Sequence, residues 1–166
     1  MILQILRHTP AWVYVLFVAL VALGYWQTRT RALSARRVLV MPVALGAFSL
    51  YGVLSTLGGG TAVLAEWAAA MLAAIALFAA MGLGRDARHD PASNTFVVPG
   101  SWMPLVAILV IFFLRYAINV GMAMDPSLRE SALFLGAAAT AYGASGGFFA
   151  ARAVNILRRA QAPIPA

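Results

Sequence analysis

The chain has 166 residues, of which 63% are hydrophobic and only 10% are charged. Soluble domains are roughly half apolar and about a quarter charged, so a soluble protein of this length needs more polar surface than the sequence contains. The net charge of +7 comes from arginine alone, because the sequence has no lysine. The arginines cluster at the ends of apolar blocks and form no basic face, which argues against nucleic-acid binding. The absence of cysteine excludes disulfides, thiolate metal sites and iron–sulfur clusters.

Five apolar blocks divide the chain, and each predicts a transmembrane helix by its length and its lack of charge. The blocks cover about residues 11–26, 38–57, 61–83, 102–124 and 131–155. The sequence therefore predicts an all-α fold, an integral membrane bundle of about five helices in one domain over residues 11–157. Residues 1–10 are predicted to lie along the membrane interface. Residues 158–166 are predicted to form a disordered cytoplasmic tail.

The first block resembles a signal peptide in length, but no small-residue cleavage site precedes the arginines that follow it. We therefore expect an uncleaved anchor, with Trp12 and Tyr14 marking one membrane interface and Tyr25 and Trp26 marking the other. Further along the chain, three glycines over residues 58–60 predict a tight turn between the second and third blocks. The polar segment over residues 84–101 is the longest connection and has room for local structure of its own.

Arginine counts near the helix ends predict how the bundle is oriented, because cytoplasmic loops carry an excess of arginine and lysine. One side of the membrane would hold Arg29, Arg31, Arg36, Arg37, Arg85, Arg88, Arg152, Arg158 and Arg159. The other side would hold only Arg7 and Arg129. This asymmetry predicts a bacterial inner-membrane protein with a periplasmic N-terminus and a cytoplasmic C-terminus.

Two charged residues, Glu66 and Arg115, lie inside apolar blocks, where a charge is costly and normally finds a partner. At ~1.5 Å per residue, Glu66 lies ~8 Å and Arg115 ~13 Å from the outer ends of their helices, so an ion pair between them is feasible. Other polar residues at comparable depth extend this candidate cluster: Tyr51, Tyr116, Asn119 and Tyr142. Three interpretations are open: a hydrogen-bonded lock between helices, a pocket for an anion, quinone or lipid headgroup, or a proton or ion pathway.

Small residues spaced by four mark one face of the fifth block: Ala139, Gly143, Gly147 and Ala151. Such spacing lets two membrane helices approach until their backbones touch. The face is interpreted either as a packing surface within the bundle or as the interface of a homodimer.

The polar segment contains Asp86, His89 and Asp90, whose side chains are all of metal-ligating type. Their spacing matches no strong ligand motif and arginines lie between them, so a solvated charged turn is the preferred interpretation. The sequence has no nucleotide-binding glycine loop and no nucleophile next to a base. No cofactor, metal or catalytic residue is predicted.

Several short segments resemble those of the CcdC-like bacterial membrane proteins. The second block begins Arg36-Arg37-Val38-Leu39-Val40-Met41-Pro42 and continues to Gly46. The fourth contains Ile111-Phe112-Phe113-Leu114-Arg115-Tyr116, and the fifth ends in the segment from Gly146 to Arg152. The Pro99-Gly100-Ser101-Trp102 segment also resembles the start of helix four in a group of small proteobacterial inner-membrane proteins. The resemblance implies an association with cytochrome c maturation, in which a chain without cysteine would be at most an accessory.

The sequence thus favours a non-enzymatic inner-membrane protein that acts as an accessory, assembly or scaffold component. Its partners would be the lipid bilayer and a second copy or another membrane protein. Two alternatives are a small transporter or channel, dimeric in one version, with a polar site in the outer half of the bundle, and a membrane enzyme acting on a lipid or quinone. The distinguishing feature is whether the region of Glu66 and Arg115 encloses a water-accessible cavity. A dry, paired site favours a scaffold, and a wet cleft that reaches one face favours transport or ligand binding.

Overall fold

The computed structural model describes residues 10–159. The helices are α1 (Ala11–Trp26), α2 (Ala35–Thr56), α3 (Thr61–Ala80), α4 (Met103–Met124) and α5 (Ala132–Arg158), and a short 3₁₀ helix covers Pro126–Arg129. The strands are β1 (Arg31–Ser34), β2 (Arg88–Asp90) and β3 (Thr95–Val98). The predicted all-α bundle is therefore confirmed, with a small sheet added at one end.

Among the described residues, four helices (α2, α3, α4 and α5) are long and apolar enough to cross a bilayer. The chain is accordingly a membrane protein. The remaining helix, α1, has 16 residues and lies antiparallel along α4. Gly24 near its end meets Leu105 at the start of α4, and the rings of Phe17 and Phe112 are 5.0 Å apart further along.

The centre of the bundle is α5, which packs extensively against α3 and also against α2. All four small residues of its predicted packing face are buried: Ala139, Gly143, Gly147 and Ala151. A Cβ added at Gly143 would collide with the Trp67 carbonyl oxygen, and one at Gly147 would lie 2.6 Å from the Met71 carbonyl oxygen. The face is therefore a packing surface within the bundle. It is already occupied by α3, so the homodimer interpretation of this face is wrong.

The three strands form one antiparallel sheet in the order β1-β3-β2, which joins two loops far apart in the sequence. Arg31 pairs with Val98, and Arg88 pairs with Val97. Phe96 and Val98 are buried beneath the sheet in a cluster with Val38. The sequence analysis allowed for local structure in the polar segment over residues 84–101, where β2 and β3 lie, but it did not predict β1. Because the sheet binds both loops together, they lie at the same end of the bundle.

The sheet end carries almost all the positive charge. We call it the arginine-rich end, and within residues 10–159 it holds nine arginines: Arg29, Arg31, Arg36, Arg37, Arg85, Arg88, Arg152, Arg158 and Arg159. The opposite end consists of the turn over residues 57–60 and the segment over residues 125–131. In the described chain its one arginine is Arg129, which is flanked by Asp125 and Glu130.

The helix bounds differ from the predicted ones for local reasons. α3 ends at Ala80, before the predicted residue 83, because Gly82 and Gly84 adopt positive φ angles of 83° and 81°. α5 continues to Arg158, beyond the predicted residue 155. Of the predicted interfacial segment and tail, residues 1–9 and 160–166 lie outside the described residues.

Candidate functional site

A large cleft lies between α1, α2 and α4, with side chains of α5 at its base. Its volume is about 1010 Å³ and its wall is mostly apolar. On α4 the lining runs from Ile108 to Met124, which is roughly 24 Å along the helix axis. Pro10 at the start of α1 and Met124 at the end of α4 both line it, so the cleft reaches the opposite end of the bundle.

Polar side chains line the half of the cleft nearer the opposite end. They are Tyr51, Ser55 and Thr56 of α2, Arg115, Tyr116 and Asn119 of α4, and Tyr142 of α5. Five of the six residues that the sequence placed in a polar cluster are therefore together: Tyr51, Arg115, Tyr116, Asn119 and Tyr142. The sixth, Glu66, is elsewhere.

The Arg115 guanidinium is held between two aromatic rings and a backbone carbonyl. Its Nη1 and Nη2 atoms donate to the Phe48 carbonyl oxygen at 3.3 and 3.2 Å. Its carbon lies 4.3 Å from the ring centroids of both Phe48 and Tyr142, a cation–π arrangement. Gly52 makes this possible, because a Cβ there would lie 2.8 Å from the Tyr142 ring and 3.2 Å from Nη1.

Asn119 and Tyr142 complete the polar wall. Asn119 Nδ2 donates to the Arg115 carbonyl oxygen at 2.8 Å and to the Tyr142 hydroxyl at 3.5 Å. Behind Tyr142, the buried Ser49 hydroxyl donates to the Tyr142 carbonyl oxygen at 2.6 Å and accepts from Trp67 Nε1 at 3.0 Å. Sequence reasoning missed Ser49, because a serine in a membrane helix usually bonds to its own helix backbone and gives no distinct signal.

Glu66 does not pair with Arg115, and in the described chain no carboxylate lies within ion-pair distance of that arginine. Instead, Glu66 accepts a hydrogen bond from the Thr140 hydroxyl at 3.3 Å and lies on the exposed surface. The reason is angular position. Thr140 and Tyr142 are two residues apart on α5, which places them about 200° apart around the helix. Glu66 and Arg115 therefore contact opposite faces of α5, although the side chain of Arg115 is long enough to span the difference in their predicted depths.

The candidate metal ligands of the polar loop do not converge. Asp90 accepts from the Ser93 hydroxyl at 2.6 Å and the Ala92 N–H at 3.1 Å, and these bonds hold the pKa of its carboxyl below the usual value. His89 lies 5.0 Å from the Phe96 ring. Residues 10–159 contain no group of three or more histidine or acidic side chains arranged to hold a metal ion. The loop is a hairpin whose turn is stabilised by Asp90.

The cleft can therefore bind a molecule through a fixed cation, an amide, tyrosine hydroxyls and a long apolar wall. No nucleophile lies next to a base among its described lining residues.

Neither the curated proteins nor the solved structures include a match to this chain. The resemblance to CcdC-like proteins stays a prediction. A family model matches residues 1–166, and the chain belongs to that family, a family of unknown function (DUF6622).

Proposed function

We propose that this protein is a non-enzymatic membrane protein that binds an amphipathic lipid, with a negatively charged head and an apolar chain, in the cleft between α1, α2 and α4. The observation that carries the proposal is Arg115, an intramembrane cation that lines the cleft and has no carboxylate partner in the described chain. A charged side chain within a bilayer is costly and commonly marks a functional site.

The head group would bind at Arg115. The two Nη groups of an arginine carry four N–H donors, and the bonds to the Phe48 carbonyl use two of them. The remaining two point to opposite sides of the guanidinium, and each can donate a charge-assisted hydrogen bond to a phosphate or carboxylate. Tyr51, which lines the same part of the cleft, offers a hydroxyl donor to the same head.

The chain of the ligand would follow the apolar part of the cleft. Beyond Arg115, towards the middle of the bilayer, the lining includes Leu20, Leu45, Ile108 and Phe149. This wall matches an acyl chain, because apolar burial contributes about 0.8 kcal/mol per CH₂. The cleft length of roughly 24 Å is most of the ~30 Å hydrocarbon thickness of a bilayer.

The sequence analysis predicted an accessory role, and lipid binding would be the activity through which the protein performs that role. The transporter or channel alternative requires a polar path to the arginine-rich end, and the apolar lining beyond Arg115 disfavours an ion path.

We also propose that the chain lies in a bacterial inner membrane with the arginine-rich end in the cytoplasm. Within residues 10–159, nine arginines lie at that end and one lies at the opposite end, which supports this orientation.

Lipid binding by purified protein tests the proposal. The melting temperature in a zwitterionic detergent would be measured during titration with phosphatidylglycerol or phosphatidylcholine, for the unmodified protein, Arg115→Gln and the matched control Arg129→Gln. A charge-assisted hydrogen bond contributes about 1.5–3 kcal/mol. We therefore expect phosphatidylglycerol to bind Arg115→Gln at least about tenfold more weakly, since about 1.4 kcal/mol is tenfold. The control should bind it normally.

A second variant keeps the test decisive if Arg115→Gln does not fold. Ala44 lines the cleft one turn of α2 before Phe48, on the side of the chain-binding region, so Ala44→Trp would fill that region without removing the cation. It should weaken binding of phosphatidylglycerol as well. Binding that is unchanged in Arg115→Gln, or in Ala44→Trp when only that variant folds, would rule out the proposed site.

A further inference from the structure

A second, smaller pocket lies at the arginine-rich end of the bundle, away from the cleft. Its volume is about 300 Å³. The segment after α3, which includes Gly82 and Gly84, forms one wall. The segment over residues 99–101, which follows β3, forms a second wall, and Arg152 of α5 contributes the one cation among the lining residues.

Two arginines at this end of the bundle, Arg152 and Arg31, have no acidic partner in the described chain. Arg31 stands opposite Val98, a pocket-lining residue, in the pairing of β1 with β3. Its charge lies within electrostatic range of Arg152 and opposes it. Asp86 also lines the pocket, but in the described residues no carboxylate lies within ion-pair distance of either arginine. Burial alone lowers the pKa of the Arg31 guanidinium. Arg152 therefore lines the pocket and Arg31 lies on the adjoining strand, and neither forms an ion pair within residues 10–159.

Buried hydrogen-bonding groups beside this pocket also lack partners. The Gln27 side chain is only 2% exposed, and both of its amide atoms make no hydrogen bond. Arg31 Nε is likewise buried without a partner. The backbone of Gln27 adjoins the pocket wall, because its carbonyl accepts from the Ser101 N–H at 3.2 Å. Unsatisfied buried polar groups are rare in folded proteins and call for a bound ion or water.

We infer that this pocket binds a phosphate group, with Arg152 as its principal ligand and Arg31 as a supporting charge. An arginine fork matches the oxygens of a phosphate, and a dianion or monoanion would relieve the repulsion between the two guanidinium groups. Basic pockets between membrane helices near a bilayer surface bind anionic headgroups in this way. The phosphate can be that of a phospholipid in the adjacent leaflet or a soluble phosphate.

The experiment uses the full chain in nanodiscs of phosphatidylcholine, with inorganic phosphate titrated against the melting temperature at constant ionic strength. The variants are Arg152→Gln and the matched control Arg158→Gln, an exposed arginine further along the same helix. We expect phosphate to stabilise the unmodified protein and Arg158→Gln, with at least about tenfold weaker binding to Arg152→Gln, because about 1.4 kcal/mol is tenfold. Arg31→Gln should weaken binding as well, and it replaces Arg152→Gln as the test if that variant does not fold.

A second arm identifies the source of the phosphate. In nanodiscs that contain phosphatidylglycerol, loss of the response to inorganic phosphate assigns the pocket to a lipid headgroup, and an unchanged response assigns it to a soluble phosphate. Arg115→Gln should respond as the unmodified protein does in each arm, which separates this pocket from the cleft. Equal responses of Arg152→Gln and Arg158→Gln, or no response of the unmodified protein in either arm, would overturn the inference.

Discussion

Gly147 tests whether direct backbone contact joins α5 to α3. An added Cβ would lie 2.6 Å from the Met71 carbonyl oxygen and 2.7 Å from the Ala74 Cβ, roughly 1 Å closer than the optimum for non-bonded atoms. The first of these is a backbone atom, so relief requires α3 to move. The neighbouring Gly146 is a matched control, because its Cβ would meet nothing closer than 3.8 Å.

Comparing Gly147→Ala with Gly146→Ala isolates the packing effect. Each substitution gains about 0.5–1 kcal/mol of backbone entropy within a helix, and this gain cancels in the difference. Overpacking costs about 1–3 kcal/mol. Gly147→Ala should therefore be less stable than Gly146→Ala by about that amount, which corresponds to roughly 2–4 °C in melting temperature per kcal/mol.

The free energy of unfolding can be measured in mixed micelles, with increasing dodecyl sulfate and helix content as the readout. Gly146→Ala should unfold at the same point as the unmodified protein or later, and Gly147→Ala should unfold earlier. Indistinguishable unfolding of the two variants would refute the close α3–α5 contact and the argument built on it.

Two further predictions concern the core and the orientation. Ser49→Ala should destabilise the protein by about 1–3 kcal/mol in the same unfolding assay, because it leaves the Trp67 indole N–H without an acceptor. Ser145→Ala, whose hydroxyl bonds only to the Ala141 carbonyl of its own helix, should be nearly neutral, and an equal loss in both would contradict this role for Ser49. A reporter that works only in the periplasm should be active when inserted at Gly59 and inactive after Ala166. The reverse pattern would show that the proposed orientation is wrong.

Depth within the membrane could be predicted from the sequence, because a helix advances by a fixed rise per residue. The apolar blocks gave the class of protein and located most helix ends within a few residues. The same rise placed Tyr51, Arg115, Asn119 and Tyr142 at comparable depth, and the structure places them in one cleft.

Angular position around each helix was decided only by packing. The predicted depths of Glu66 and Arg115 are close enough for an ion pair, yet the two residues contact opposite faces of α5. The face that each helix turns towards α5 depends on how all the helices pack together. The small residues of α5 were open to two interpretations from the sequence. The structure supports packing within the bundle, because backbone atoms of α3 occupy the space next to Gly143 and Gly147.

The tertiary structure alone also revealed the features that arise between distant segments. β1 exists because its backbone bonds to β3, more than sixty residues later, and four residues without an apolar pattern give no sign of this in isolation. The pocket at Arg152 likewise depends on that sheet, because Val98, which lines the pocket, pairs with Arg31 of β1. The sequence by itself determined the membrane class, the number of helices and the depth of the polar groups, which follow from local hydrophobicity and helix geometry. The structure decided which of those groups meet, because that depends on how the helices pack and which loops join.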